Sequence, residues 1–172
     1  MSFAIRRLTG SDVADYRAIR LEALTNHPEA FASTPEQFVQ RTPDELRAVL
    51  EAMVFVGAIR PDGSLAGIMA LEFGSGREAH RAWLYQVYVR PDMRGTGCAQ
   101  ALLDAALAHS KGKVAQVHLG VAAHNEPAIR LYQKAGFVRY GTDPRSQFVN
   151  GRFVDEHLMV RFLDEAPGET HE

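Results

Sequence analysis

Two short stretches carry residue types whose spacing could do chemistry. The first is Arg94-Gly95-Thr96-Gly97-Cys98-Ala99, set between an aromatic and β-branched run and an apolar-periodic one. Glycines at 95 and 97 free the backbone N–H groups where the next helix starts, and those donors with the helix dipole attract an anion. The small Ala99 lets a ligand approach the backbone, and a diphosphate suits such a cradle. A dinucleotide fingerprint would place Gly at 100, where Gln100 stands, and an acid about 20 residues on, which 113–121 lack. A Walker loop would need Gly-Lys-Ser/Thr, which is absent. A plain glycine turn and a diphosphate loop of another kind remain.

The second stretch is Asn125, Ala128 and Tyr132, spaced three and then four, so one helix face holds all three. Read simply, it is an N-cap and a core tyrosine on an amphipathic helix. Lone Cys98 has no matched His and Asp arrangement and reads as a small packing residue. The seven histidines show no metal spacing: His124 has no partner four residues on, and Asp155, Glu156 and His157 on a strand point alternate ways. No metal is expected.

The elements that must hold these residues follow from periodicity. Phe3–Leu8 reads as a short strand, and Val13, Tyr16, Ile19, Ala23 and Leu24 recur at helical spacing up to Asn26-His27-Pro28. A short helix follows Pro35. Thr42-Pro43-Asp44-Glu45 is a capping box opening a helix to about 53. Strands are predicted over 54–59, 65–73, 83–89 and 114–121, helices over 97–110 and 125–135, with Gly136 at the C′ position. Asn150-Gly151 marks a type I′ hairpin between 147–149 and 153–154. The order β-α-α-β-β-β-α-β-α-β-β implies an α/β (α+β) fold: a mixed, mostly antiparallel twisted sheet with helices on both faces.

Composition bounds the rest. The 172 residues are 46% apolar and carry 19 Lys and Arg against 21 Asp and Glu, for a net charge of −2. That suits one domain over 1–163 with an acidic tail over 164–172. It argues against a nucleic-acid binder, and no run is long enough for a membrane span. One cysteine excludes an internal disulfide and suits a cytoplasmic setting.

The run Val87-Tyr88-Val89-Arg90-Pro91-Asp92-Met93-Arg94-Gly95-Thr96-Gly97-Cys98-Ala99-Gln100 resembles the strand–loop–helix signature of the GNAT superfamily of acyl-CoA-dependent N-acyltransferases, Arg/Gln-x-x-Gly-x-Gly/Ala. Arg94, Gly97 and Ala99 fill its fixed positions. Asn125, Ala128 and Tyr132 with Gly136-Phe137 resemble that superfamily's second motif, Asn-x-x-Ala-x-x-x-Tyr followed by Gly-Phe. The resemblance is clear over 83–137.

It implies an acetyl-CoA-dependent N-acetyltransferase. The loop 94–100 would hold the CoA diphosphate through backbone amides, and Val87, Tyr88 and Val89 would pair with the pantetheine arm. Asn125 and Ala128 would complete the cofactor site. The N–H near Val87 would polarise the thioester carbonyl, and Tyr132 would protonate the departing thiolate as an amine attacks directly. Many family members carry a Glu on the strand before the loop; 83–89 has none, and the candidate bases nearby are Glu72, Glu78 and His80, of which Glu72 and His80 are preferred. The acceptor would be a primary amine of a small molecule or peptide, faced by the helices at 11–25 and 42–53. Another acyl-CoA, or a non-catalytic CoA-binding regulator, is the alternative. The family often dimerises, so a homodimer stands among the expected partners.

Overall fold

The computed structural model describes residues 2–164. Its elements are β1 (Ala4–Arg7), α1 (Val13–Asn26), α2 (Pro35–Val39), α3 (Pro43–Ala52), β2 (Val54–Ile59), β3 (Leu65–Phe73), β4 (Arg81–Val89), α4 (Cys98–Ser110), β5 (Gln116–Ala122), α5 (Glu126–Lys134), β6 (Val138–Val149) and β7 (Arg152–Phe162). Seven strands hydrogen-bond in the order β1-β2-β3-β4-β5-β7-β6. The pairs β1–β2, β2–β3, β5–β7 and β6–β7 are antiparallel and β4–β5 is parallel. This is the mixed, mostly antiparallel sheet that the sequence predicts. Among the described residues no helix is long and apolar enough to cross a membrane. The acidic tail expected over 164–172 lies, apart from Asp164, outside the described residues.

The chain forms two compact units: residues up to 72 with 85–106, and 73–84 with residues from 107 onward. In the first, Tyr16, Ile19, Ala23 and Leu24 of α1 and Leu46 and Leu50 of α3 are buried with Phe38, Phe55, Ile68 and Ala70. Tyr16 meets Phe55 and Phe38 edge-on, with ring centres 5.1 and 6.3 Å apart. Each such pair contributes about 1 kcal/mol beyond area burial. The helix starts are capped by side chains: Thr42 Oγ1 accepts from Glu45 N at 3.2 Å, and Thr34 closes a full capping box with Gln37. β3 is buried from Leu65 through Leu71, which explains its continuous apolar run.

In the second unit, β5 pairs with the start of β4 on one side and with β7 on the other. Asn150 and Gly151 adopt φ of +50° and +76°, the pair of left-handed residues that a type I′ turn requires. The hairpin is far longer than predicted, with twelve residues in β6 and eleven in β7. Polar residues and Pro144 hide β6 in the sequence. As the edge strand of the sheet it tolerates both, and a register break between Asp143 and Gln147 absorbs the proline.

Candidate functional site

In the first unit the site is built on the second half of β4 and the loop behind it. Gln86 has φ +53°, a left-handed backbone that costs a non-glycine residue roughly 1–3 kcal/mol. It is held by its side chain: Tyr16 Oη donates to Gln86 Oε1 at 2.8 Å. Tyr88 is buried and donates to Glu22 Oε2 at 2.7 Å, with its ring 5.8 Å from that of His27. Burial first, then Glu22, pushes the Tyr88 phenol up to about 12, so it is a donor at neutral pH. Glu22 also faces Arg90 Nε at 3.4 Å, and Arg90 N donates to Ala66 O at 2.8 Å. The end of α1 is thereby tied to the strand that enters the loop.

Pro91–Met93 makes one tight turn, with Met93 buried as its anchor. Thr96 Oγ1 donates back to Met93 O at 2.5 Å, and Arg60 grips Asp92 with two contacts of 2.6 Å. Gly95 and Gly97 have φ of +75° and +83°, and a Cβ at either would meet nothing within 4 Å. Both glycines therefore border open space. Ala101 N donates to Gly97 O at 3.0 Å, so the N–H groups of Cys98, Ala99 and Gln100 precede the first helical hydrogen bond of α4. Backbone donors at a helix start that borders open space suit an anion.

Three side chains of the loop have other work. The Gln100 amide donates to Asp104 Oδ1 at 2.8 Å. The exposed Arg94 places Nη2 3.3 Å from His27 Nε2. Cys98 is buried and its thiol is pushed up by that burial, which keeps it protonated and unreactive.

The second unit holds the other predicted residues. Asn125 caps α5, with Oδ1 accepting from Ala128 N at 3.4 Å. Tyr132 is buried against Phe137, ring centres 5.8 Å apart. Burial alone raises its phenol well above the usual range, so it stays protonated and can donate. Gly136 adopts φ +92°, the left-handed helix stop the sequence predicts. His118 is buried beside Trp83 and Tyr140, with Gln116 Nε2 at 2.8 Å and Tyr140 Oη at 3.2 Å from its ring nitrogens. Burial, reinforced by Arg81 and His80, holds that imidazole neutral.

The loop residues 94–100 and the strand residues Val87, Tyr88 and Val89 are continuous, and Asn125, Ala128 and Tyr132 share α5 and its cap. Glu72 is exposed near the end of β3, and His80 is exposed just before β4, at the end remote from the loop. Sequence reasoning missed Gln86 and its bond to Tyr16, because glutamine gives no signal of a left-handed turn. Among the described residues there is no group of His, Cys, Asp and Glu fit to hold a metal.

The model of the Acetyltransferase (GNAT) family matches residues 18–137. The chain belongs to the GNAT acetyltransferase family. Among curated relatives of this GNAT protein, spermidine N(1)-acetyltransferase of Vibrio cholerae is 35% identical over 46% of the chain and 47% of its own length. Mycothiol acetyltransferase of Paenarthrobacter aurescens is 31% identical over 78% of the chain and 42% of its own length. The chain thus spans under half the length of these relatives. The protein yncA of Salmonella typhimurium, solved with its cofactor acetyl-CoA, superposes with a TM-score of 0.83 at 21% identity over 99% of both chains, which establishes the fold.

Proposed function

We propose that this GNAT protein transfers the acetyl group of acetyl-CoA to the primary amine of a small molecule or peptide. The observation that carries the reading is the cradle itself: two left-handed glycines opening on empty space at the start of a thirteen-residue helix. A diphosphate brings the charge those N–H groups attract, and neither glycine could carry a side chain without strain. Residues 94–100 bind it, and Val87, Tyr88 and Val89 offer extended backbone to the pantetheine arm. Asn125 and Ala128 complete the cofactor contacts at the start of α5.

The reaction needs few groups. The amine nitrogen bonds to the thioester carbon and gives up a proton to a base, the carbon–sulfur bond breaks, and the thiolate takes a proton from Tyr132. A buried phenol that resists ionisation suits that donor role. The backbone N–H near Val87 polarises the carbonyl, and the left-handed Gln86 just before it turns that stretch of strand. Glu72 and His80, both exposed, are candidates for that base. The substrate named for the Vibrio cholerae relative, spermidine, fits an amine acceptor. We place the enzyme in the cytoplasm, without nucleic-acid or membrane partners, and expect a homodimer.

The test is release of free thiol from acetyl-CoA in the presence of a panel of amines. Thiol released only when an amine is present supports the reading. Release from succinyl- or propionyl-CoA in place of acetyl-CoA would change the acyl donor. Tight CoA binding without turnover of any amine would make the protein a CoA-binding regulator instead.

A further inference from the structure

The second unit carries a carboxylate that no motif singles out. Glu156 of β7 is half-buried and pairs across the ladder with Ala122 of β5. Its side chain lies over the neighbouring Gly120: a Cβ built there would overlap the Glu156 carboxyl group, with Cγ 3.1 Å away. The missing side chain of Gly120 is what makes room for the carboxylate. Gly120 itself is exposed, so the carboxylate rests at an open face.

The position on β5 matters. Parallel pairing of β5 covers Gln116–Leu119 and stops at Leu84↔Leu119. Gly120, Val121 and Ala122 are paired on one side only, by β7. Glu156 therefore stands where the edge of β5 comes free. The C-terminal end of α5 is tied to the other side of this strand. Glu156, Ala122, Gly120 and His118 share one face by alternation, while Val117 shares the opposite face with its partner Arg161. Arg161 Nη1 donates to Ala135 O, at the end of α5 just after Tyr132. A thioester passing the free edge of β5 would meet a proton acceptor on the face that carries Glu156.

We propose that Glu156 is the catalytic base: its carboxylate takes the proton of the acceptor amine as the nitrogen bonds to the thioester carbon. The carbon–sulfur bond breaks, Tyr132 supplies the proton to the thiolate, and both residues are restored by exchange with water. The inference rests on the acetyl-transfer reading. The surroundings of Glu156 suit a base. Burial raises its carboxyl, Asp143 directly across on β6 raises it further, and a hydrogen bond with Ser146 opposes them. Other titratable groups nearby are His118 on the same face of β5, and Asp155 and His157, its neighbours on β7. A carboxylate raised toward neutrality accepts protons better at pH 7 than an ordinary one.

The experiment uses the full chain and an amine found in the acceptor panel. Glu156→Gln keeps the shape over Gly120 and should lower kcat/KM by about 100-fold, remove the acidic limb of its pH profile and leave CoA affinity unchanged. Glu156→Asp should fall between. Gly120→Ala displaces the carboxylate from outside. It should lower kcat, and adding it to Glu156→Gln should cost little more. The proposal is overturned by a Glu156→Gln variant that keeps wild-type kcat/KM and its acidic limb. It also falls if Gly120→Ala and Glu156→Gln act independently. If wild-type protein binds CoA yet acetylates no amine, the acetyl-transfer reading itself has failed and takes Glu156 with it.

Discussion

The loop after β4 and the β5–α5–β7 region work by opposite means. In the loop, the proposed binding groups are backbone: Gly95 and Gly97 adopt left-handed conformations, and the N–H groups of Cys98, Ala99 and Gln100 precede the first helical hydrogen bond of α4. Its side chains mostly hold it in place, as Thr96 does on Met93 and Arg60 on Asp92. In the second region the backbone is ordinary strand and helix, and the groups proposed to move protons are side chains, Tyr132 and Glu156, both raised by burial. Backbone sites leave a local mark, because glycine is required at fixed places. Side-chain sites assembled from three elements leave little.

That contrast can be broken first at Gly97. Gly97→Val puts a β-branched residue at φ +83° and a side chain into the open cradle, so CoA affinity should drop by about 100-fold or more in calorimetry. Affinity near wild type would end the claim that the loop binds through its backbone. Tyr132→Phe should do the reverse: kcat lower by about 100-fold with CoA affinity retained. A loss of affinity instead of rate would make Tyr132 a binding residue like the loop.

Two smaller effects concern the scaffold. Tyr16→Phe keeps the ring contacts but releases Gln86, and should destabilise the protein by about 1 kcal/mol, read as a lower Tm. The smallest effect expected is electrostatic. Arg6 contacts Asp12 at 2.8 and 3.0 Å and, with help from Thr9 N, holds its carboxyl below the usual range. A carboxyl lowered on folding adds stability that is present above the ordinary carboxylate range and lost as pH falls through the folded-state value. Asp12→Asn should therefore cost about 1 kcal/mol near pH 7 in denaturant melts, with the difference shrinking steadily below about pH 4. A difference that stayed constant with pH would mean that the Asp12 charge contributes nothing to stability.

Much of this was legible in the sequence, for physical reasons that can be named. β2 and β3 fall at 54–59 and 65–73 as predicted, because Val54–Ile59 and Leu65–Phe73 are apolar runs bounded by turn residues. Asn150-Gly151 marks its turn because two consecutive left-handed residues are needed there. The length of β6 was hidden, since an edge strand with a bulge carries Pro144 and alternating charge at little cost. The Tyr88–Glu22 bond joins residues 66 apart, and the Glu156–Gly120 overlap needs a strand register, which no local pattern fixes.

Direct transfer from acetyl-CoA to an amine is open to one decisive measurement. Protein, acetyl-CoA with an isotopically labelled acetyl group and a reactive amine are mixed, and the label is followed by mass spectrometry on both the amine and the intact chain. The account expects the label on the amine nitrogen and none on Cys98 or any other residue. Label carried on Cys98 before it reaches the amine, or label that remains wholly in acetyl-CoA while CoA is bound, would contradict it.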